Sequence, residues 1–563
     1  MKATKLLFAT VSLSTLFSFT KMNAQQWGDY TLYSIKNSST AYLIDTNNAT
    51  YHTWTGLSPS TAYSSYLLPG GTLLRTVNHP GNSFSGGAMT GEFQKVSYSG
   101  TLLWDFVYST SAYCMHHDIC PMPNGNVLVI AYESKTGTQT TQAGCSSAIT
   151  MWPDKIVEIQ QTGPTTGTVV WEWHLWDHLC QSFNAAKDNY VSSTAAHPEL
   201  YNINLNPQKE VWHTNGLDYN PVLDQIIMSS HMNNEAYIID HSTTIAEAAS
   251  HSGGLSGKGG DFLYRWGNPT AYGQTGTTIF NVVHDAHWIP EGYVNEGRIV
   301  GFNNNGISMS QSCVDQITPP VSGYNYSYTA NTAYAPSTYT SRLSCTGYTS
   351  NEGNSQQLPN GNQLVCIAFS GLIYEVDPAG TTIWSKSITG QVSQAFRYSA
   401  CYVNNTAPAI PTITQNVSVL TSSAATTYQW YLNGVQIVGA TSQNYTPSVS
   451  GIYLVRVTDA NGCMFSYSAN FNFSFTTSVL SIFNNQNELT IFPNPSTGIV
   501  TIETGLNENK NYVVTVLDAM GKNIITAENS KTLDLSNLEN GIYFISVISE
   551  NQTSVTKKIS IIK

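Results

Sequence analysis

Two stretches of the chain set histidine beside aspartate at the same point of a repeated pattern. "HHDICPMPNGNVLVIAYE" begins at His116 and "HDAHWIPEGYVNEGRIVGF" at His284. Each puts a His-Asp pair ahead of a turn and a strand, with a proline six residues after the histidine (His117 to Pro123, His284 to Pro290). His116 neighbours His117, and the register with His284 selects His117. A third stretch, "WHTNGLDYNPVLDQIIMSS", has His213 at this point, with Asn220 seven residues on, as Asn124 follows His117. Imidazole titrates nearest neutrality, so it can be nucleophile, proton carrier, hydrogen-bond donor or metal ligand. Three imidazoles at one place permit two chemistries. They can bind zinc or copper, although no carboxylate or thiolate spacing accompanies them. Or they can act on an anionic substrate, one as nucleophile and the others as donors and proton carriers. Packing explains one such histidine better than it explains three in register.

The elements that must position them form a repeat across 25–404. One half of the unit is a turn feeding a strand: "LLPGGTLLRTV", "PMPNGNVLVIA", "IPEGYVNEGRIVGF", "QLPNGNQLVCIA". The other is a strand, a turn and a strand with tryptophan: "FQKVSYSGTLLWDF", "IVEIQQTGPTTGTVVWEW", "LIYEVDPAGTTIWSK", and a fainter "AYIIDHSTT" with "FLYRWG". Units of about four short strands at this spacing predict an all-β chain led by a β-propeller, with six blades expected. The opening "YTLYSIKNSSTAYLIDTNNATYHTW" and the closing "AFRYSACYV" complete the ring. A β-helix or a run of sandwiches is the competing architecture. In a propeller the first strand of each blade lines the channel, so a residue fixed ahead of it converges with its equivalents at one end. The late copy has Gly353 there, so the repeat itself does not require histidine.

Only 10% of residues are charged, and the net charge of −12 excludes nucleic acid as a partner, because phosphate binding needs a basic surface. Residues 1–24 read as a signal peptide: Lys2 and Lys5, an apolar stretch, then Ala24. No later segment is apolar for long enough to span a membrane as a helix. Nine cysteines in an exported chain permit disulfides; Cys114 with Cys120, or Cys145 with Cys180, are candidates, and no CxxC spacing suggests a structural zinc. Residues 405–478 resemble an immunoglobulin-like β-sandwich, with Trp430 of "YQWYLNGVQI" between the sheets and no inter-sheet disulfide. Residues 479–563, with "FPNP" and "GIYF", form a second small β-sandwich. They resemble the C-terminal sorting domain of the type IX secretion system of Bacteroidota. That resemblance implies the secretion machinery as a partner.

Across 30–400, "HHDICPMPNGN", "VVWEWHLWDHL", "WHTNGLDYNPVLDQIIMSS", "GGDFLYRWGNP", "HDAHWIP", "FNNNG" and "LPNGNQLVC" resemble, in that order, the bacterial arylsulfotransferases that use no nucleotide sulfate donor. The resemblance implies transfer of a sulfuryl group from an aryl sulfate to a phenol through a sulfated histidine, with no cofactor. It implies His284 as nucleophile and His117 and His213 as helpers. The family usually has arginine in "SSR", where this chain reads "SSHM" with His231. Either His231 substitutes, or Arg265 or Arg397 supplies the cation. Asp118 and Asp285 are candidates for setting tautomers. His174, His178, Trp171, Trp173 and Trp176 suggest a loop whose aromatic faces hold the aryl ring, a part also open to His287 and Trp288. The competing class is a non-catalytic secreted propeller that binds a ligand or surface glycan.

Overall fold

Turns with built-in left-handed positions cut the chain into short strands. In "PNGN", Gly125 adopts φ 86° while the Met122 amide meets the Asn126 carbonyl, closing a hairpin that a β-carbon would strain. The computed structural model describes residues 26–475, 489–504, 511–519, 521–549 and 554–563; the expected signal peptide lies outside them. The chain divides into two units, Met1–Phe473 and Ser474–Lys563.

In the first unit, consecutive strands form four-stranded antiparallel sheets. One runs Thr61–Leu68, Thr72–Asn78, Gly91–Val96, Leu102–Val107. The next runs Tyr113–Pro121, Val127–Glu133, Asp154–Gln161, Gly167–His174. Three more follow, beginning at Thr214–Asn220, Val283–Trp288 and Asn354–Gln357. A further sheet joins both ends of the region: Tyr30–Ser34 pairs with Ala41–Asp45 on one side and Ala395–Tyr398 on the other. The result is the propeller-like closure anticipated from "AFRYSACYV".

Middle strands such as Val127–Glu133 are buried almost throughout because neighbouring sheets cover both faces. Most outermost strands are wetter, yet five carry a buried tryptophan: Trp54, Trp104, Trp173 (with Trp171 on the same strand), Trp266 and Trp384. Four of these indoles reach into the following sheet. Trp54 Nε1 donates to the Ser97 carbonyl (2.9 Å), Trp104 to Thr166 (3.1 Å), Trp173 to Gly260 (2.7 Å) and Trp266 to Pro336 (2.6 Å). Each acceptor lies between the third and fourth strands of its sheet. The repeated tryptophan is thus an inter-sheet latch, and a buried N–H without such a partner costs about 1–3 kcal/mol.

The innermost strands share a second device. Their pairing slips between Thr61 and Ser65, Met115 and Ile119, Thr214 and Gly216, and His284 and His287. At three of these bulges a non-glycine residue is left-handed: His117 (φ 49°), His213 (φ 57°), Asp285 (φ 53°). Such bulges re-aim side chains.

Residues 413–473 build the sandwich expected over 405–478 around Trp430, Leu420, Tyr453, Val455 and Phe473. It docks on the propeller through Glu291, which meets Arg456 (2.9 Å), Tyr467 (3.2 Å) and Tyr431. A disulfide joins Cys463 to Cys401, just beyond the strand that closes the ring. The pairings considered from sequence do not form: Cys114, Cys120, Cys145 and Cys180 are free and buried. Cys114 and Cys120 share one strand, which separates them by roughly 20 Å at the ordinary rise per residue. The second unit pairs Tyr512–Leu517, Asn523–Glu528, Gly541–Ser549 and Ser554–Ile561 in one sheet, with a three-stranded sheet facing its core.

Thiol titration of the denatured, unreduced chain is expected to find the seven free cysteines, Cys401 and Cys463 reacting only after reduction. A count of five or fewer would contradict the single cross-link.

Candidate active site

The bulges at or beside His117, His213 and His284, with the turn that carries His231, bring four imidazoles around a cavity of about 430 Å³. The rings follow one another: His117 to His213 at 4.6 Å between centroids, His213 to His231 at 5.2 Å, His231 to His284 at 5.8 Å. Lys36, Asn351, Glu352, Phe369 and Gln391 complete the wall.

His284 is buried, and its partners define its tautomer. Nδ1 lies 2.7 Å from Asn304 Oδ1, and the Asn304 amide nitrogen donates to the carbonyls of Thr349 (2.9 Å) and Glu352 (2.8 Å). Asn304 therefore presents oxygen, Nδ1 carries the hydrogen, and Nε2 keeps its lone pair, which accepts the Glu352 amide at 3.1 Å. Burial, then the neighbouring His231, push the His284 pKa down to about 3. Burial and then His213 push His231 down to about 4; its Nδ1 is buried with no hydrogen-bond partner among the described residues. Burial also holds His117 well below the usual range, with His213 next. These three rings are neutral near pH 7.

Behind His117 lies a relay. Asp154 accepts from His116 Nε2 (2.9 Å), and His116 Nδ1 faces His117 Nδ1 at 2.8 Å. Burial lowers the His116 pKa, so a neutral His116 gives its one hydrogen to Asp154 and accepts from His117. His117 Nε2 is then the unprotonated nitrogen. Asp154 is itself held by the Thr214 amide (3.0 Å) and hydroxyl (2.9 Å), and His116 stacks on Tyr132 at 3.6 Å. His213 Nδ1 donates to Glu210 Oε2 at 2.7 Å, and that hydrogen bond leads in drawing the Glu210 pKa down to about 2. The chain at Gly87 passes over this pair so closely that a β-carbon would sit 2.8 Å from His213 Cε1.

Glu352, one residue before the Gly353 that the register aligns with the histidines, stands in the same cavity wall with φ 57°. Its carboxylate meets Lys36 Nζ (2.5 Å), Gln391 Nε2 (2.5 Å) and Ser393 Oγ (2.8 Å). Pairing by register could not reveal Glu210, Asp154, Lys36 or Glu352, which approach from other segments of the chain. The adjacent "HH" was the one available hint of the relay.

Other expected residues lie elsewhere. Asp118 and Asp285 do not orient the histidines before them: Asp118 accepts from Tyr66 (2.8 Å) and the Ile119 amide (2.9 Å), and Asp285 from the Ser355 amide (3.0 Å). The bulge turns each aspartate away from its histidine. Arg265 is buried against Glu235 (2.6 Å) and Arg397 against Glu375 (3.2 Å), so neither guanidinium lines the cavity. Trp171 and Trp173 are core. Trp176 sits under Lys135 (5.0 Å), His174 pairs with Glu133 (3.3 Å), and His178 with Asp261 (2.8 Å). His287 and Trp288 line a separate cavity of about 550 Å³, shared with Tyr431 and Tyr467 of the 413–473 sandwich. Among the described residues, side chains close enough to share a metal are His178, His251 and Asp261, and the disulfide pair with Asp459; neither group lines the four-histidine cavity.

Residues 28–406 match the family model described as arylsulfotransferase (ASST), and residues 490–563 match that of a secretion system C-terminal sorting domain. No curated protein sequence matches the chain. Similar solved structures include the β-propeller domain of Cps50 (Swd1) from Myceliophteria thermophila: 8% identity, 71% of this chain, 94% of that one, TM-score 0.32. Virginiamycin B lyase from Staphylococcus aureus gives 11%, 70%, 91% and 0.29. A 6-phosphogluconolactonase-like protein from Bacteroides fragilis gives 12%, 65%, 83% and 0.32. Likeness at these scores carries no inference about activity.

Folding lowers the pKa of His231 and His284 from 6.5 to about 4 and about 3, so the folded chain binds fewer protons than the unfolded one between those values. Stability is full above 6.5 and falls as pH drops. Thermal midpoints measured from pH 6.5 to 4.5, above the range where Glu210 loses its charge, are expected to decline, and His231→Gln to flatten the decline. An unchanged slope in that variant would remove His231 from the cause.

Proposed function

The chain belongs to the arylsulfotransferase family, and from that premise we propose that it carries a sulfuryl group from an aryl sulfate to a phenol through a sulfated His284. The family makes it a sulfotransferase, and the sorting domain marks it for type IX secretion or display at the cell surface. Among the described residues no helix is long and apolar enough to cross a membrane. The observation that carries the finer reading is the His284 tautomer. Asn304 holds the hydrogen on Nδ1, burial keeps the ring neutral, and Nε2 turns a lone pair toward the wall shared with three other imidazoles.

In the first half-reaction Nε2 attacks sulfur. The N–S bond forms as the aryl O–S bond breaks, and the electron pair leaves on the aryloxide. The Glu352 amide that meets Nε2 at 3.1 Å shifts to a sulfuryl oxygen, a backbone donor for charge that develops there. His231, with its unpartnered Nδ1, and His213 face the same oxygens. In the second half-reaction the acceptor phenol gives its proton to His117 Nε2 as its oxygen attacks sulfur, and the N–S pair returns to His284. The positive charge that forms on His117 is shared with His116 and balanced by Asp154. The proton then passes to the departing aryloxide or to water. Phe369, half exposed on the rim, offers an aromatic face to the aryl ring.

A chromogenic aryl sulfate, incubated with the full chain with and without phenol, tests the reaction. Phenol-stimulated release supports transfer, release indifferent to phenol indicates hydrolysis, and binding without release supports a non-catalytic binder. His284→Ala is expected to abolish turnover and the sulfuryl mass increase on the quenched protein. Asp154→Asn is expected to slow the phenol-dependent half by about 100-fold, the low end of general acid–base effects, while sparing the first burst of chromophore. Equal loss in both halves would assign Asp154 to structure alone.

A further inference from the structure

Sulfuryl transfer through His284 leaves the charge of the sulfuryl group without a permanent counterpart. Three of the four imidazoles are neutral near pH 7. Arg265 and Arg397 are each buried against a glutamate away from the cavity. A sulfuryl group in transfer spreads negative charge over three oxygens, which a fixed cation stabilises far better than neutral donors.

We infer that Lys36 is the cation that binds the sulfuryl group, and that the Glu352 carboxylate competes with substrate for it; this rests on the transfer reading only for the identity of the anion. Lys36 is the sole lysine or arginine among the described residues of the cavity wall, and it stands two residues beyond the strand Tyr30–Ser34. Its backbone is held, the amide on the Gln391 carbonyl at 2.8 Å, while its side chain is a quarter exposed and reaches Glu352 from the cavity wall. Glu352 is built for the exchange. Lys36 bonds one of its oxygens, and Gln391 and Ser393 hold the other. Yielding Lys36 to an oxyanion therefore leaves the carboxylate with two donors rather than stranded. The backbone of the same residue caps His284 Nε2. An anion that draws Lys36 from the side chain of Glu352 also meets the amide of Glu352, so cation and amide converge on one group. Glu352 holds a left-handed backbone (φ 57°) before Gly353 (φ 91°), a conformation that persists only where its surroundings enforce it. A bound oxyanion would join Lys36, Gln391 and Asn304 in enforcing it.

The two halves of this idea predict opposite signs. Inorganic sulfate binding to the full chain, measured by calorimetry, is expected to weaken about tenfold or more in Lys36→Gln and to tighten about tenfold in Glu352→Gln, a decade corresponding to about 1.4 kcal/mol. Lys36→Arg is expected to stay within about threefold of the parent, since it keeps the charge. The KM for an aryl sulfate should follow the same order. Unchanged sulfate affinity in a Lys36→Gln protein with the parent's melting temperature overturns the inference. If that variant does not fold, Glu352→Gln decides, and weaker or unchanged sulfate binding overturns it. The two readings fail separately. Lys36-dependent sulfate binding without aryl sulfate turnover leaves the anion site standing and sinks transfer. Turnover that Lys36→Gln does not alter does the reverse.

Discussion

A β-strand paired without interruption turns its side chains alternately to two faces, and in a ring of stacked sheets both faces are covered by neighbours. Such a strand offers no side chain to the central axis. Four inner strands of this propeller escape the constraint by breaking register, and His117, within a break, and His213, just before one, take left-handed backbones. Left-handed histidine is unfavourable, and neighbouring chains hold it there: the Ala88 carbonyl accepts the His117 amide (2.9 Å), and the His231 amide donates to the His213 carbonyl (3.1 Å). His231 joins them from the turn after Gln225–Ser230.

Convergence has an electrostatic consequence. Four imidazoles within 4.6 to 5.8 Å of their neighbours cannot all be charged, and burial already disfavours the charged form. The molecule resolves this by division of labour. His284 is neutral and held by a carboxamide. His117 is neutral but backed by a carboxylate through His116. His213 faces Glu210 directly. One residue type thus supplies a nucleophile, a proton acceptor and a donor, the differences lying in the partner behind each ring.

What was legible in the sequence and what was not divides along the same line. The repeat made the all-β ring and its closing strand readable, because turn and strand signals are local. The register of His117, His213 and His284 was readable because it recurs within that repeat. Partners distant along the chain left no such trace: Asp154 lies 38 residues from the His116 it anchors, and Lys36 lies 316 from Glu352. The aromatic run around Trp176 misled for the opposite reason, since its spacing reports an inter-sheet latch at Trp173 rather than a wall for substrate. Arg265 and Arg397 were singled out by charge alone, and charge does not disclose the buried glutamate that takes it up.

The sheet completed from both ends of the propeller sets an order of events for a chain made from one end and exported. Tyr30–Ser34 emerges early with one edge unpaired, and its partner Ala395–Tyr398 is among the last propeller residues to appear. Until then the nascent molecule exposes a strand edge that invites pairing with a stranger. Every earlier sheet lacks the finished circle that buries its flank, and long-range pairing of this kind is slow. The chain therefore gains most from being kept apart from its neighbours, its circle drawn shut only when the whole of it has arrived.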